Sequence, residues 1–170
     1  MKPMILVTAP VQTRSGYGNH SRDICRALIE SDKYDVRIQA VRWGTTPPNA
    51  LENNNPIHQE IDKRIMTQPN LERQPDLHIH IVIPNEFQAL GKKNIGITAG
   101  IEHSTPPANW LDGVNRMDLT ICTSEFAKLG LGNTKYDKQD VKTGQVIGEL
   151  KVVKPLDVLF EGVDPEIYKE

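Results

Sequence analysis

Two glycines near the amino terminus stand where backbone N–H groups could contact a ligand. Gly16 and Gly18 follow an apolar run and precede a helix-like segment. Glycine at such a point permits positive φ angles, and it also lets the N–H groups of a helix start approach a phosphate or a sugar. Tyr17 lies between them, and Arg14 could bind phosphate or remain a solvated charge. Because Ser21 stands where a third glycine would be, the match to a dinucleotide-binding pattern is weak.

A carboxylate and an imidazole follow a later strand-like segment. Glu102 and His103 come shortly after Gly100, in a loop that continues towards Trp110. Loops that follow strands carry binding and catalytic side chains more often than other surface segments. The position favours a pair that faces a site, with helix capping or hydrogen bonding within the loop as the alternative.

Two histidines share a second predicted strand. His78 and His80 are two residues apart, so both side chains lie on one face of that strand. This spacing would suit a metal. No Cys, Asp or further His stands at a complementary local spacing. We therefore predict a packed, hydrogen-bonded pair and no metal site.

Three other ring-bearing side chains have two possible roles each. Trp43 and Trp110 could stack on a sugar, although core packing is the ordinary role of a helix-borne tryptophan such as Trp110. His20, in the first turn of a predicted helix, could be a catalyst or a surface residue, and the surface position is expected.

The elements that position these residues alternate between strand and helix. Bounded apolar runs predict strands, and helical spacing of apolar side chains predicts helices. The sequence predicts strands at 4–8, 34–41, 77–83, 93–98, 119–122 and 156–160, a loop at 10–18, and helices at 19–30, 57–66, 109–114 and 125–129. Thr123 or Ser124 caps the last helix. This alternation predicts an α/β fold, Rossmann-like, with a mostly parallel sheet and helices on both faces.

One segment interrupts that alternation. Residues 131–155 are polar and mixed in charge in their first half, and they alternate weakly in their second half. We interpret this segment as an insertion, a β-hairpin that projects from the sheet. A connection of this length is either functional or mobile.

Composition limits the classes of function. The 170 residues suit a single domain over 1–170, and the net charge of −2 gives no case for nucleic acid or an anionic membrane as the main partner. No apolar stretch approaches the roughly 20 residues that a transmembrane helix needs. Two cysteines, placed in a helix-like and a strand-like segment, favour a reducing, cytoplasmic location.

Four segments at strand ends resemble the N-terminal, acceptor-side half of a retaining GT-B glycosyltransferase of the group 1 type. The resemblance spans nearly the whole chain, and the order and spacing of the segments carry it. The segments are Thr8-Ala9-Pro10 with Gly16-Tyr17-Gly18, Gly100-Ile101-Glu102-His103, the stretch from Trp110 to Phe126, and Glu161-Gly162-Val163-Asp164 with Tyr168. The departures are the insertion and the absence from this chain of the family's second domain, which carries the nucleotide-sugar site.

The resemblance implies transfer of a sugar from a nucleotide-sugar donor to an acceptor hydroxyl. It implies catalytic positions for His103 and Glu102. It implies substrate binding by Arg14, Gly16, Tyr17, Gly18, Ser124 and Gly162. No cofactor is expected in this chain, since the second domain would hold the nucleotide sugar. The expected partners are that domain or a second copy on the exposed cleft face, together with a carbohydrate or other hydroxyl acceptor.

Two other classes of function stay open. A Rossmann enzyme of the dehydrogenase or epimerase type would need a fuller G-x-G-x-x-G pattern and an acidic residue at the end of the second strand. That strand instead runs into Val41-Arg42-Trp43-Gly44. A non-catalytic binding or assembly module could also have kept the fold.

Overall fold

The computed structural model describes residues 2–68, 70–100, 104–163 and 165. Its strands and helices follow the predicted alternation. The strands are β1 (Met4–Ala9), β2 (Asp35–Ala40), β3 (Leu77–Ile81), β4 (Lys93–Thr98), β5 (Leu119–Cys122), β6 (Lys135–Gln139), β7 (Val146–Lys151) and β8 (Leu156–Val158). The helices are α1 (Gly16–Glu30), α2 (Pro56–Asp62), α3 (Ala108–Asn115) and α4 (Glu125–Asn133), and a 3-10 turn spans Pro84–Glu86.

Six strands form one parallel sheet in the order β2-β1-β3-β4-β5-β8. Beyond β2, Ile65 forms a parallel bridge with Ile38. Ile65 can be counted as a rudimentary strand of the main sheet. When the seven strands of that sheet are renumbered in chain order, without the hairpin strands, their order is 3-2-1-4-5-6-7. This order extends the doubly wound Rossmann arrangement by one strand. The prediction of a Rossmann-like, mostly parallel α/β fold is confirmed. The strand order reverses between β1 and β3, and in doubly wound sheets such a reversal marks the place at the carboxyl ends where ligands bind.

Apolar side chains from the helices form two clusters against the sheet. One cluster includes Cys25 of α1 and Ile61 of α2, and the other includes Trp110 of α3 and Leu131 of α4. Trp110 is 7% exposed, so the expectation of core packing is confirmed. No helix in the described part of the chain is both long and apolar enough for a membrane span.

The histidine pair on β3 is buried and hydrogen-bonded, as predicted. His78 Nδ1 lies 2.9 Å from Gln88 O, and its Nε2 lies 2.9 Å from Thr8 Oγ1. His80 Nδ1 accepts a hydrogen bond from Gln88 N at 3.0 Å. The exposed fractions of the two residues are 0% and 5%. These contacts join β3 to β1 and to the segment that follows the 3-10 turn.

Three helix boundaries were wrong by three residues or more, whereas the other predicted ends lie within two residues of the observed ones. Helix α1 begins at Gly16, because Ser15 Oγ accepts from Gly18 N and caps the helix there, so residues 16–18 are its first turn and not a loop. Helix α2 ends at Asp62, and Ile65 pairs with β2 instead of continuing the helix. Helix α4 extends to Asn133 and not to residue 129, since Leu131 is buried.

The segment 131–155 contains the predicted hairpin. Strands β6 and β7 pair antiparallel in a sheet of their own. The base is attached to the domain, because Asn115 Nδ2 donates to Lys151 O and Tyr136 Oη donates to Pro106 O, both at 2.8 Å. The tip is exposed, and Asp140 there accepts hydrogen bonds from the backbone of residues 142 and 143. The mobility expected of this tip stays a prediction for hydrogen exchange.

Candidate functional site

The loops that follow the parallel strands meet at one edge of the sheet, its carboxyl edge. Residues 10–15 follow β1, residues 41–50 follow β2, and residues 99 and 100 follow β4. Ser124 follows β5, and residues 159–163 follow β8. In doubly wound sheets, ligands bind outside this edge where the strand order reverses. The edge beside β1 and β3 is therefore the candidate site.

The first turn of α1 opens onto this edge. Besides the cap on Gly18 N, the Ser15 hydroxyl lies 2.9 Å from Thr13 Oγ1. Gly16 has open space around the position of a Cβ, whereas a Cβ on Gly18 would lie 2.1 Å from Thr13 O. The turn contains no acidic residue. A helix start of this kind presents N–H groups and a partial positive charge to an anion or an oxygen.

An arginine that the sequence reasoning missed supports the loop after β1. Arg22 Nη1 donates to Val11 O at 2.8 Å and to Thr13 O at 2.9 Å. Its Nη2 donates to Asn19 Oδ1 on the same helix. One guanidinium thus holds the loop against α1. The sequence gives one hint of this contact, which is that Arg22 follows the loop closely in the chain. The acceptors are backbone carbonyls, and these do not depend on residue type.

Tyr17 connects three loops of the carboxyl edge. Its hydroxyl lies 2.9 Å from Thr98 Oγ1 at the end of β4 and accepts from Ala99 N at 3.1 Å. Its ring packs on Trp43 with 4.3 Å between the centroids. Burial raises the pKa of this phenol. This contact brings the start of α1 next to the end of β4, just before the loop that holds Glu102 and His103.

The segment after β8 crosses the edge towards α1. Leu159 N donates to Cys122 O at 2.9 Å, and Glu161 Oε1 lies 3.5 Å from His20 Nδ1. Gly162 then lines a groove with Gly16. His20 is 8% exposed, so its predicted surface position was wrong: the exit segment covers it. Its Nε2 is buried and has no hydrogen-bond partner in the described part of the chain.

The remaining predicted site residues have different surroundings. Glu102 and His103 lie outside the described residues. Arg14 is exposed, lies 4.0 Å from Glu52 Oε1, and lines the same groove as Gly16 and Gly162. Ser124 caps α4, since its Oγ accepts from Ala127 N at 3.1 Å. Arg14, Gly16, Tyr17, Gly18 and Gly162 are therefore the predicted residues that the structure brings to the start of α1.

No arrangement of metal ligands occurs within the described ranges. His78 and His80 engage Thr8 and Gln88, and no group of three or more His, Cys, Asp or Glu side chains is placed to hold an ion there. Cys25 and Cys122 are free and buried, and burial raises the pKa of each thiol, to about 12 and about 11 respectively. Thiols of such high pKa are poor nucleophiles at neutral pH.

The two glycines of the first turn should respond differently to alanine. Gly18→Ala should lower the free energy of unfolding by about 2 kcal/mol, because the added carbon would overlap Thr13 O. Gly16→Ala should change it by less than about 0.5 kcal/mol, because nothing lies within 4 Å of the added carbon. Urea denaturation followed by circular dichroism compares the two variants. Equal stabilities would contradict the tight packing of Gly18 on the loop.

The candidate site thus combines a helix start, an ordered tyrosine and a segment that crosses the edge after the last strand. The first turn of α1 supplies N–H donors, and the groove beside Gly16 and Gly162 leaves them room for a ligand. Comparison with protein-family models, with curated proteins and with solved structures found no match.

Proposed function

We propose that this chain is the acceptor-side half of a GT-B glycosyltransferase, which moves a sugar from a nucleotide-sugar donor to an acceptor hydroxyl. The observation that carries the proposal is the convergence at the carboxyl edge: the start of α1, the end of β4 and the segment 159–163 meet beside the reversal of strand order between β1 and β3. The start of α1 and residues 161–163 belong to two of the four segments on which the sequence resemblance rests, and the end of β4 directly precedes a third.

The chemistry proposed for this edge is electrostatic. Departure of a nucleotide from a sugar leaves negative charge on a phosphate and positive charge on the sugar, so donors fixed in advance near the phosphate accelerate transfer. The Ser15 cap engages Gly18 N and leaves the N–H groups of Gly16 and Tyr17 free of it, and Gly16 lines the groove at the start of α1. By resemblance, Glu102 and His103 would act on the acceptor or the donor sugar, and a second domain would hold the nucleotide.

A dinucleotide-dependent enzyme is the less favoured candidate. In that class, the third glycine lets α1 pack closely on the sheet, and an acid after the second strand holds a ribose. Here Ser21 is fully buried in the third position, and Arg42 and Trp43 follow β2. The strand order alone would suit either class.

Nitrogen-15 NMR titration tests the proposal. We expect methyl glycosides and UDP- or GDP-sugars, at millimolar concentrations, to shift the amide peaks of Gly16, Gly18 and Gly162. The amide of Gly91, which precedes β4 at the opposite edge, should not move. Shifts caused by NAD at residues 42–44 would instead support the dinucleotide enzyme, and an absence of shifts with every sugar would reject the glycosyltransferase proposal.

A matched pair of glycine variants ties the response to the helix start. Gly16→Ala and Gly148→Ala both add a carbon with nothing within 4 Å, the first in the groove and the second on the hairpin. Only Gly16→Ala should weaken the sugar-induced shifts. In addition, we expect no multiple-turnover sugar transfer by the 170-residue chain alone. Turnover above about one per minute, still slow for an enzyme, would contradict the half-enzyme proposal.

A further inference from the structure

A buried imidazole lies over the first turn of α1. His20 comes four residues after Gly16, so the two residues share a face of the helix and the His20 side chain tilts towards the helix start. Both residues line the groove between α1, α2 and residues 161–163 of the exit segment. One end of this groove therefore brings the imidazole next to the N–H groups of the first turn.

One ring nitrogen of His20 has no partner. The side chain is 9% exposed, and its Nε2 is buried without a hydrogen bond in the part of the chain that the structure describes. Glu161 Oε1 lies 3.5 Å from the other ring nitrogen, Nδ1. A carboxylate at this place favours the tautomer with its proton on Nδ1, which leaves Nε2 as an acceptor. A buried acceptor without a donor is unfavourable, so this atom points to a ligand that donates a hydrogen bond.

The start of α1 supplies donors beside this acceptor. The Ser15 cap on Gly18 N leaves the N–H groups of Gly16 and Tyr17 free of it. The space around Gly16 is open, since an added Cβ would meet nothing within 4 Å. N–H groups at a helix start bind phosphate oxygens, and the helix dipole favours negative charge there.

The charged side chains of the groove suit a single anionic group. The Arg14 guanidinium lines the groove, and its contacts with Asn49 O and Glu52 Oε1 are long, at 3.5 Å and 4.0 Å. Asp23 and Glu52 line the same groove, and their charges would repel a chain of phosphates. The groove has a volume of about 960 Å³, which leaves room for an organic group attached to one phosphate at the helix start.

We propose that the start of α1 binds a phosphate monoester, and that His20 Nε2 accepts a hydrogen bond from its P–OH group. A monoester has a second pKa of about 6, so a fraction of it carries this proton near neutral pH. Sulfate and phosphate diesters, including the diphosphate of a nucleotide sugar, carry none. The N–H groups of Gly16 and Tyr17 and the Arg14 guanidinium bind the other oxygens. Binding displaces residues 161–163, which cover the ring and are themselves exposed.

The proton of the ligand allows a test with matched anions. Inorganic phosphate, methyl phosphate, dimethyl phosphate and sulfate are titrated separately into the nitrogen-15-labelled chain at neutral pH and constant ionic strength. We expect inorganic phosphate and methyl phosphate to shift the amide peaks of Gly16 and Gly162 and the Nε2 resonance of His20. Sulfate and dimethyl phosphate should bind at least about tenfold more weakly. Equal binding of sulfate and phosphate would overturn the shared proton, and an unmoved His20 resonance in both phosphates would overturn the site.

Variants identify the side chains that hold the phosphate. His20→Leu should weaken the binding of inorganic phosphate about tenfold, and Arg14→Gln should weaken it about threefold. Arg37→Gln is the matched control, because Arg37 is exposed on β2 outside the groove, and it should change nothing. An unmoved indole peak of Trp110 checks the fold of each variant. Arg14→Gln keeps the test valid if His20→Leu unfolds, and affinities equal to the parent's in both variants would overturn the site.

This inference stands apart from the proposed function, and the outcomes distinguish the two. Selective binding of phosphate at His20, without a response to any sugar, would support the phosphate site and reject the glycosyltransferase proposal. Shifts of Gly16 and Gly162 caused by methyl glycosides, together with an unmoved His20 resonance in phosphate, would overturn the phosphate site and leave the glycosyltransferase proposal standing.

Discussion

Replacing Gly113 with alanine should destabilise the domain by about 3 kcal/mol or more, at or above the upper end of ordinary overpacking. Gly113 lies in α3, where the helix sits on the 3-10 turn after β3. An added Cβ would lie 1.8 Å from Pro84 O and 2.4 Å from Pro84 C. The obstacle is backbone, so no rotamer change can relieve the overlap.

The same helix also holds the turn through the arginine at its carboxyl end. Arg116 Nε donates to Phe87 O at 2.9 Å, and its Nη2 donates to Asn85 O at 2.8 Å. Relief of the overlap would therefore have to separate the helix from the turn and break these bonds. In urea denaturation, the midpoint should fall while the slope, which reports the surface exposed on unfolding, stays the same.

Gly132→Ala in α4 is the matched control. Its added Cβ would meet only Leu156 Cδ1, at an ordinary 3.7 Å. Since alanine favours helix over glycine, this variant should be as stable as the parent or more stable by up to about 1 kcal/mol. A Gly113→Ala variant as stable as Gly132→Ala would show that α3 does not rest on the turn as described.

Acidification should destabilise the domain through the histidines of β3 before its carboxylates titrate. Burial lowers the pKa of His78 to about 4 and that of His80 to about 3, from an ordinary value of 6.5. Below pH 6.5 the unfolded chain binds protons on these rings while the folded chain does not. The free energy of unfolding therefore falls as pH falls, by about 2 kcal/mol per ring between pH 7 and 5.

The pH window isolates the histidines from the acidic groups. Hydrogen bonds from Lys63 and Arg64 lower the pKa of Glu60 to about 2, and bonds from Lys92, Met4 N and Arg73 lower that of Asp76. The stabilisation from such lowered carboxylates is complete above their ordinary pKa values near 4 and is lost only below them. The interval from pH 7 to 5 lies above that loss.

His80→Gln tests the origin of the acid response. Glutamine can still accept from Gln88 N, the hydrogen bond that His80 makes, but it does not titrate. Whatever its stability at pH 7, this variant should lose about half as much free energy of unfolding as the parent between pH 7 and 5. Urea denaturation at pH 7, 6 and 5 measures the difference. A parent whose stability is constant over this range would contradict the burial of neutral rings.

The sequence was most informative where local chemistry and the fold agree. Strands β4 and β5 match their predicted ranges at both ends. The prediction failed where tertiary contacts override local preference. Equal spacing of isoleucines predicted a helix through residue 66, but Ile65 instead pairs with Ile38 on the sheet edge. The sequence predicted an end to α4 at residue 129, whereas burial of Leu131 favours its continuation to Asn133.

The candidate site was predictable in outline and not in its contacts. Parallel topology alone brings the glycines of α1 and the loop after β4 to one edge, so their neighbourhood followed from the strand pattern. The contacts of Tyr17 with Thr98 and of His20 with Glu161 join residues about 80 and 140 positions apart. Such pairs depend on helix rotation and on the path of the exit segment, which hydrophobic periodicity does not specify.

The parallel bridge at Ile38 also bears on the solubility of the folded domain. Ile38 N donates to Arg64 O at 2.9 Å, and Ile38 O accepts from Met66 N at 2.8 Å, so the centre of edge strand β2 is already paired. The opposite edge strand, β8, has only three residues. Open strand edges are templates for aggregation. Natural proteins protect them by covering the edge, by keeping the edge strand short or by placing lysines on it. In the main sheet, the bridge at Ile65 covers the edge at β2, and the edge strand β8 is short. The hairpin carries lysines on its strands, at Lys135, Lys138 and Lys151, and these disfavour pairing of its edges with another molecule.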